Sequence, residues 1–157
     1  MNDRVPRITS SAELQAMRRA GRLAARTLQY VAQRLRPGIT TADIDAWVRE
    51  DTYAHGAKPS QLGYQGFPAA VCTSINEVVC HGVPSAEVHL RDGDIINVDV
   101  TSELHGWHGD TSATFCIGEV SAEAKHLVDA TRRALEAGLR EVRPGARLGD
   151  IGAAIDA

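Results

Sequence analysis

The triplet Arg-Pro-Gly occurs twice, at residues 36–38 and 143–145, each time after a long helical pattern and before a short one. A shift of 107 residues superposes the two triplets. It also aligns Arg26 with Arg133, Leu28 with Leu135, Asp43 with Asp150, Ile44 with Ile151 and Ala46 with Ala153, giving eight identities in 25 positions. Pro and Gly commonly follow helix ends, but Asp-Ile also recurs at the same distance after each stop. Self-similarity at so long a period is the mark of a duplicated unit. The expected organisation is one domain over residues 1–157, with a first repeat at about 11–118 and the start of a second at about 121–157. By the first copy's length the second stops about 70 residues early, so a fragment of a longer protein is expected.

Local signals fill in the repeat. Ser10 and Glu13 have the spacing of a capping box. Leu14, Met17, Gly21, Ala24, Leu28, Val31 and Leu35 then recur every three or four residues, which predicts one buried helix face. A second helix is expected from Thr40, with Asp43 in its first turn and Ile44, Trp47 and Val48 inward. The Gly/Pro-rich stretch from His55 to Pro68 reads as a long loop. Strands are predicted at 70–73, 78–80, 95–101 and 111–117, and Asp92-Gly93-Asp94 reads as a turn. Ser121 caps a third helix, with Leu127, Thr131, Leu135, Leu139 and Val142 at helical spacing.

The chemistry concentrates in Ile95–Thr101 and His108-Gly109-Asp110-Thr111. Odd positions of a strand share a face, so Asn97, Asp99 and Thr101 point together out of an otherwise Ile/Val-rich segment. A hairpin turning at Leu104-His105 would set Asp99 directly opposite Asp110. Facing carboxylates destabilise a ladder, and a bound cation removes that cost. The same spacing also suits two surface aspartates near a solvated turn. His81, at a strand end beside Gly82, is a candidate functional or structural histidine. His55, His89, His105, His108 and His126 lack ligand spacing such as HExxH, and His105 and His108 read as loop residues. Cys72 and Cys80 read as small core hydrophobes.

Composition excludes several classes. The net charge of −3 gives no electrostatic pull toward nucleic acid or an anionic membrane. The N-terminus has no apolar leader, and no apolar run nears the roughly 20 residues of a membrane span. Three cysteines, odd in number and without CxxC spacing, fit a reducing cytoplasm. There is no phosphate loop and no GxSxG elbow.

Taken together, Leu62–Pro68, Cys72–Pro84, Asp94–Thr101 and His108–Thr111 resemble type I methionine aminopeptidases in order and spacing, and the resemblance extends from about Ser11 to Ala157. It implies an α/β (α+β) pita-bread fold, an antiparallel sheet flanked by helices, with the second pseudo-symmetric half truncated. It implies metal-dependent hydrolysis of the first peptide bond, removing N-terminal methionine from nascent proteins, with two divalent metal ions (Co, Mn, Fe or Zn) as cofactors. Asp99 and Asp110 match metal ligands, and His81 matches the histidine that touches substrate. Tyr64, Phe67 and Cys72 match the methionine-pocket lining, and Asn76 and Val78 match backbone positions of a monovalent-cation site. Gln65 departs from a histidine common at its position, and Gln61 from a cysteine that some members carry. The remaining histidine and two glutamate ligands of the family come from its second half. The implied setting is cytoplasmic and near the ribosome, without nucleic acid or membrane partners, as a monomer when full length. Two further readings stand beside this one: an inactive fragment or non-catalytic pita-bread binding module, and a prolidase-like peptidase that shares the paired aspartates.

Overall fold

The computed structural model describes residues 8–157; Met1–Arg7, part of the segment that reads as lacking a leader, lie outside them. The chain divides into two compact units, up to Gly118 and from Glu119 onward.

The first unit opens with α1 (Ser11–Ala32), whose N-terminus carries the expected box: Ser10 accepts from the Glu13 amide, and the Glu13 carboxylate accepts from the Ser10 N–H. Its buried line is Ala20, Leu23, Ala24, Thr27, Leu28 and Val31. Leu14 and Met17, expected on the inward face, are exposed, as is Gly21. The stripe is therefore corrected in the first half of the helix, where the buried face begins only at Ala20. The helix α2 (Thr41–Ala54) has a second box, formed by Thr40 and Asp43, and buries Ile44 and Val48. Such a cap contributes about 1 kcal/mol.

A four-stranded antiparallel sheet follows. The long strands β3 (Ile95–Leu104) and β4 (Trp107–Cys116) form a hairpin along their full length. The short strands β1 (Lys58–Pro59) and β2 (Cys72–Ile75) both pair with β3, at Ser102–Glu103 and at Ile96–Asp99. Since β4 fills one edge of β3, β1 and β2 share the other, as one edge strand interrupted by residues 60–71. The interruption positions the site described below.

Burial in β3 alternates from Ile95 to Glu103: Ile96, Val98, Val100 and Ser102 are buried and the odd residues are not. The even face joins Leu28, Val31, Ile44, Val48, Val71, Leu90 and Ile117 in the core. Each fully buried Val or Ile contributes about 1.5–3 kcal/mol. The odd face carries Asn97, Asp99 and Thr101, as the period-two reading expects.

Two strand-level expectations are corrected. Asp110 pairs with Thr101, and Asp99 with Ser112, so the aspartates are diagonal rather than directly opposite. The turn is His105-Gly106, one residue later than expected, and both residues have positive φ (53° and 84°). That combination suits a two-residue hairpin loop of the mirror-image type, which matches strand twist. Residues 78–80, expected to form a strand, form none. Asn76, at φ 49°, turns the chain as soon as β2 ends, and Val79 is 92% exposed.

The second unit holds α3 (Ala122–Arg140), capped by Ser121, and α4 (Leu148–Asp156). The two helices meet at Gly138, where an added Cβ would fall 2.8 Å from Ile155 Cγ1. Leu127, Thr131, Leu135, Leu139 and Val142, read as recurring at helical spacing, are exposed. Their helical spacing is genuine, but this structure sets Gly138 against α4 instead.

Candidate active site

In the first unit a pocket of about 540 Å³ opens where the edge strand is interrupted. It is lined by Ser60, Gln61, Tyr64, Gln65, Phe67, Cys72, His81, Asp99, Thr101, His108 and Asp110. Six residues singled out from the sequence, Tyr64, Phe67, Cys72, His81, Asp99 and Asp110, are thus brought together from four stretches of chain. Asn76 and Val78 are not among the lining residues. Asn76 sits in the turn after β2, where its side chain donates to Asp94 Oδ1 at 2.8 Å and accepts from the Ile95 N–H at 3.0 Å. The Val78 N–H donates to the Ile75 carbonyl.

The carboxylates are set by the hairpin. Asp99 is half-buried on the odd face of β3, and Asp110 is exposed on β4. Thr101 Oγ1, cross-strand from Asp110, donates to Asp110 Oδ1 at 2.9 Å. Burial is the main cause that holds the Asp99 carboxyl above the usual carboxylate range. The Asp110 charge and a hydrogen bond between the two side chains push the same way, and His81 opposes them. The diagonal pairing therefore still brings the carboxyls within interaction range, and a positive charge between them would relieve the cost. Among the described residues no group of three or more His, Cys, Asp or Glu side chains is placed to hold a metal. The pair fits a divalent ion only as two oxygen donors of a larger ligand set.

His81 reaches the pocket through a strained route. It is exposed with φ 57°, uncommon for a residue with a Cβ. The next residue explains why the backbone lies there. The Gly82 carbonyl accepts from the Thr73 N–H at 2.8 Å, and a Cβ on Gly82 would fall 2.0 Å from the Thr73 carbonyl oxygen. Gly82 lets the chain pass flat against β2 and deliver His81 beside Cys72 and Asp99. Gly109 does the same between His108 and Asp110, where a Cβ would meet the Ala20 carbonyl oxygen of α1 at 2.2 Å.

The other wall is less polar. Phe67 is half-buried, Tyr64 exposed and Cys72 buried. Burial, with the Asp99 charge second, pushes the Cys72 thiol up to about 11. At neutral pH it is a thiol, and it acts as a small apolar surface. Gln61 donates to the Asp99 carbonyl oxygen at 3.1 Å and toward Cys72 Sγ at 3.7 Å, closing the gap in the edge strand.

His108, read from the sequence as a loop residue, belongs to β4 and lines the pocket, with its Nδ1 2.9 Å from Ser60 Oγ. Period-two spacing from Asp110 would have found it, once the turn was placed at 105–106. Nothing in the sequence marks Ser60.

Residues 15–157 match the model of metallopeptidase family M24. The chain is 50% identical to methionine aminopeptidase B of Synechocystis sp. over 155 residues, covering 96% of this chain and 57% of that protein. It is 47% identical to the methionine aminopeptidase of Rickettsia prowazekii, with 88% and 53% covered. The chain thus spans little more than half the length of these relatives. The crystal structure of the Rickettsia prowazekii enzyme superposes with a TM-score of 0.92 at 44% identity, over 96% of this chain and 60% of that one. Escherichia coli aminopeptidase P, at 23% identity and a TM-score of 0.80, shares the fold alone. The fold is that of the pita-bread peptidases, an antiparallel sheet flanked by helices, and the chain belongs to metallopeptidase family M24.

Proposed function

We propose that this chain carries the methionine pocket and the first two metal ligands of an enzyme that hydrolyses the first peptide bond and removes N-terminal methionine. The observation that carries this reading is the single pocket in which Asp99, Asp110 and His81 adjoin Tyr64, Phe67 and Cys72.

Asp99 and Asp110 would hold divalent metal, which when bound supplies Lewis-acid polarisation of the scissile carbonyl. The protein's own part follows from its side chains. Phe67, Tyr64 and the neutral Cys72 thiol form an apolar wall for an unbranched thioether. His81 points a ring nitrogen at the carbonyl as charge builds on its oxygen. Thr101 fixes the rotamer of Asp110. A set of two ions needs further donors, assigned by the resemblance to one histidine and two glutamates in the length of the relatives that this chain does not cover. Carboxylate and imidazole donors suit Co, Mn, Fe and Zn alike. The substrate would be the N-terminal methionine of nascent peptides, which fits a cytoplasmic, ribosome-proximal, monomeric enzyme. The turn at Asn76 and Val78 would hold the monovalent cation.

A second reading, in which this chain binds without turnover, is favoured by the lack of a three-donor cluster among the described residues. Competition binding in excess Mn²⁺ tests the substrate class. Met-Ala-Ser is expected to bind at least about tenfold more tightly than an Ala-Pro peptide, and equal or reversed affinities would overturn the proposal. Methionine release from the bound peptide separates the readings. Binding without release supports the second, and release abolished in Asp110→Ala supports the first.

A further inference from the structure

Residues 60–71, which carry Tyr64 and Phe67, form a loop supported at both ends. At the front, the Ser60 N–H donates to the Thr101 carbonyl at 2.8 Å and Gln61 to the Asp99 carbonyl. The tip braces itself: the Gly63 N–H donates to the Phe67 carbonyl, and the Phe67 N–H to the Tyr64 carbonyl. The rear attachment comes from another element. Asp45 of α2 accepts the Ala70 N–H at 2.5 Å through Oδ1 and the Arg49 Nε–H at 2.6 Å through Oδ2. Arg49 also donates to the Pro68 carbonyl at 3.4 Å.

Ala70 and Val71 are fully buried, so the Ala70 N–H has no water to fall back on. A buried amide must find a protein acceptor or the segment must move. Asp45 is the acceptor, and its side chain is 16% exposed and aligned by its ion pair. Pro68 and Ala70 bracket the step between Phe67 and Cys72, both in the apolar wall of the pocket.

We propose that Asp45, aligned by Arg49, is a positioning residue that sets the distance between Phe67 and Cys72 in the apolar wall, and so the fit of the substrate's first side chain. The inference rests on the methionine-pocket reading above. Asp45 is not among the residues that line the pocket, and its carboxylate accepts from Ala70 of the loop and from Arg49.

The test compares wild type, Asp45→Ala and Asp45→Asn by amide and aromatic NMR, Mn²⁺ binding and Met-Ala-Ser binding. In Asp45→Ala the Ala70 amide and Phe67 ring resonances are expected to move. Met-Ala-Ser affinity should fall about tenfold, with Mn²⁺ affinity unchanged. Asp45→Asn keeps an oxygen for Ala70 and is expected to recover most of that affinity. Unmoved Phe67 resonances with undiminished peptide affinity would overturn the inference. If wild type shows no preference for methionine, the substrate reading fails, and the Phe67 resonances still decide the positioning role. Should Asp45→Ala not fold, Arg49→Met serves: shifted Phe67 resonances and an affinity loss of about threefold support the inference, and an unchanged spectrum overturns it.

Discussion

At the residue scale Asp99 carries the electrostatic cost of the pocket's carboxylate pair. Its pKa is raised, so the charged form is the less favoured one in the folded chain. The linkage sign follows: its stabilising contribution is fully present below the ordinary carboxylate pKa and is lost as pH rises through the raised value. Asp99→Asn is therefore expected to melt at a higher temperature than wild type at neutral pH without divalent ions, the gain vanishing in acid. Mn²⁺ should stabilise wild type and not the variant. Thermal melts across pH with and without Mn²⁺ check both. Gly82→Ala probes the other key residue. With a Cβ 2.0 Å from the Thr73 carbonyl, the backbone must shift, costing about 2–4 kcal/mol in urea titrations and displacing His81.

At the element scale, the polar face of β3 was legible because side-chain period in a strand is two and Ile96, Val98 and Val100 leave the odd positions no other role. The pairing register was not. Moving the turn from 104–105 to 105–106 changes the partner of Asp110 from Asp99 to Thr101, and only the backbone preference of a Gly in the second loop position signals the choice. The Ser10–Glu13 capping box was a sequence pattern that local hydrogen bonds alone satisfy, whereas at Thr40 the sequence marked only a helix start with Asp43 in its first turn, and the structure makes it a second box. Asp43 makes this checkable. Its side-chain and backbone bonds to Thr40 hold its pKa below the usual range. That stability is present above the ordinary carboxylate pKa and lost as pH falls through the lowered one. Asp43→Asn should be less stable than wild type at neutral pH, the two converging in acid, as urea midpoints would report. Gly109→Ala, which drives a methyl into the Ala20 carbonyl, should separate α1 from β4 and cost about 3 kcal/mol or more.

At the scale of the whole molecule, the spacing of the two Arg-Pro-Gly stops corresponds to two helix pairs, α1–α2 and α3–α4. What the repeat did not reveal is which helix faces are covered. Periodicity in α3 marks Leu127, Leu135 and Leu139 as one face, yet burial depends on what packs there, and they are exposed. The pocket was legible as a set of residues but not as a shape, because its walls come from a loop placed by α2 and by the gap in an edge strand. Ser60 entered it for that reason, and His108 because the turn at 105–106 puts it in β4 two residues from Asp110.

We propose that the Asp99–Asp110 pair and the apolar wall act as one metal-dependent peptide site. Calorimetric binding of Met-Ala-Ser to the chain, with and without Mn²⁺ and beside Asp110→Ala, tests it most directly. The expected result is binding that strengthens about tenfold or more with Mn²⁺ in wild type and is indifferent to Mn²⁺ in the variant. Peptide binding unaffected by Mn²⁺, or equally affected in Asp110→Ala, would contradict it.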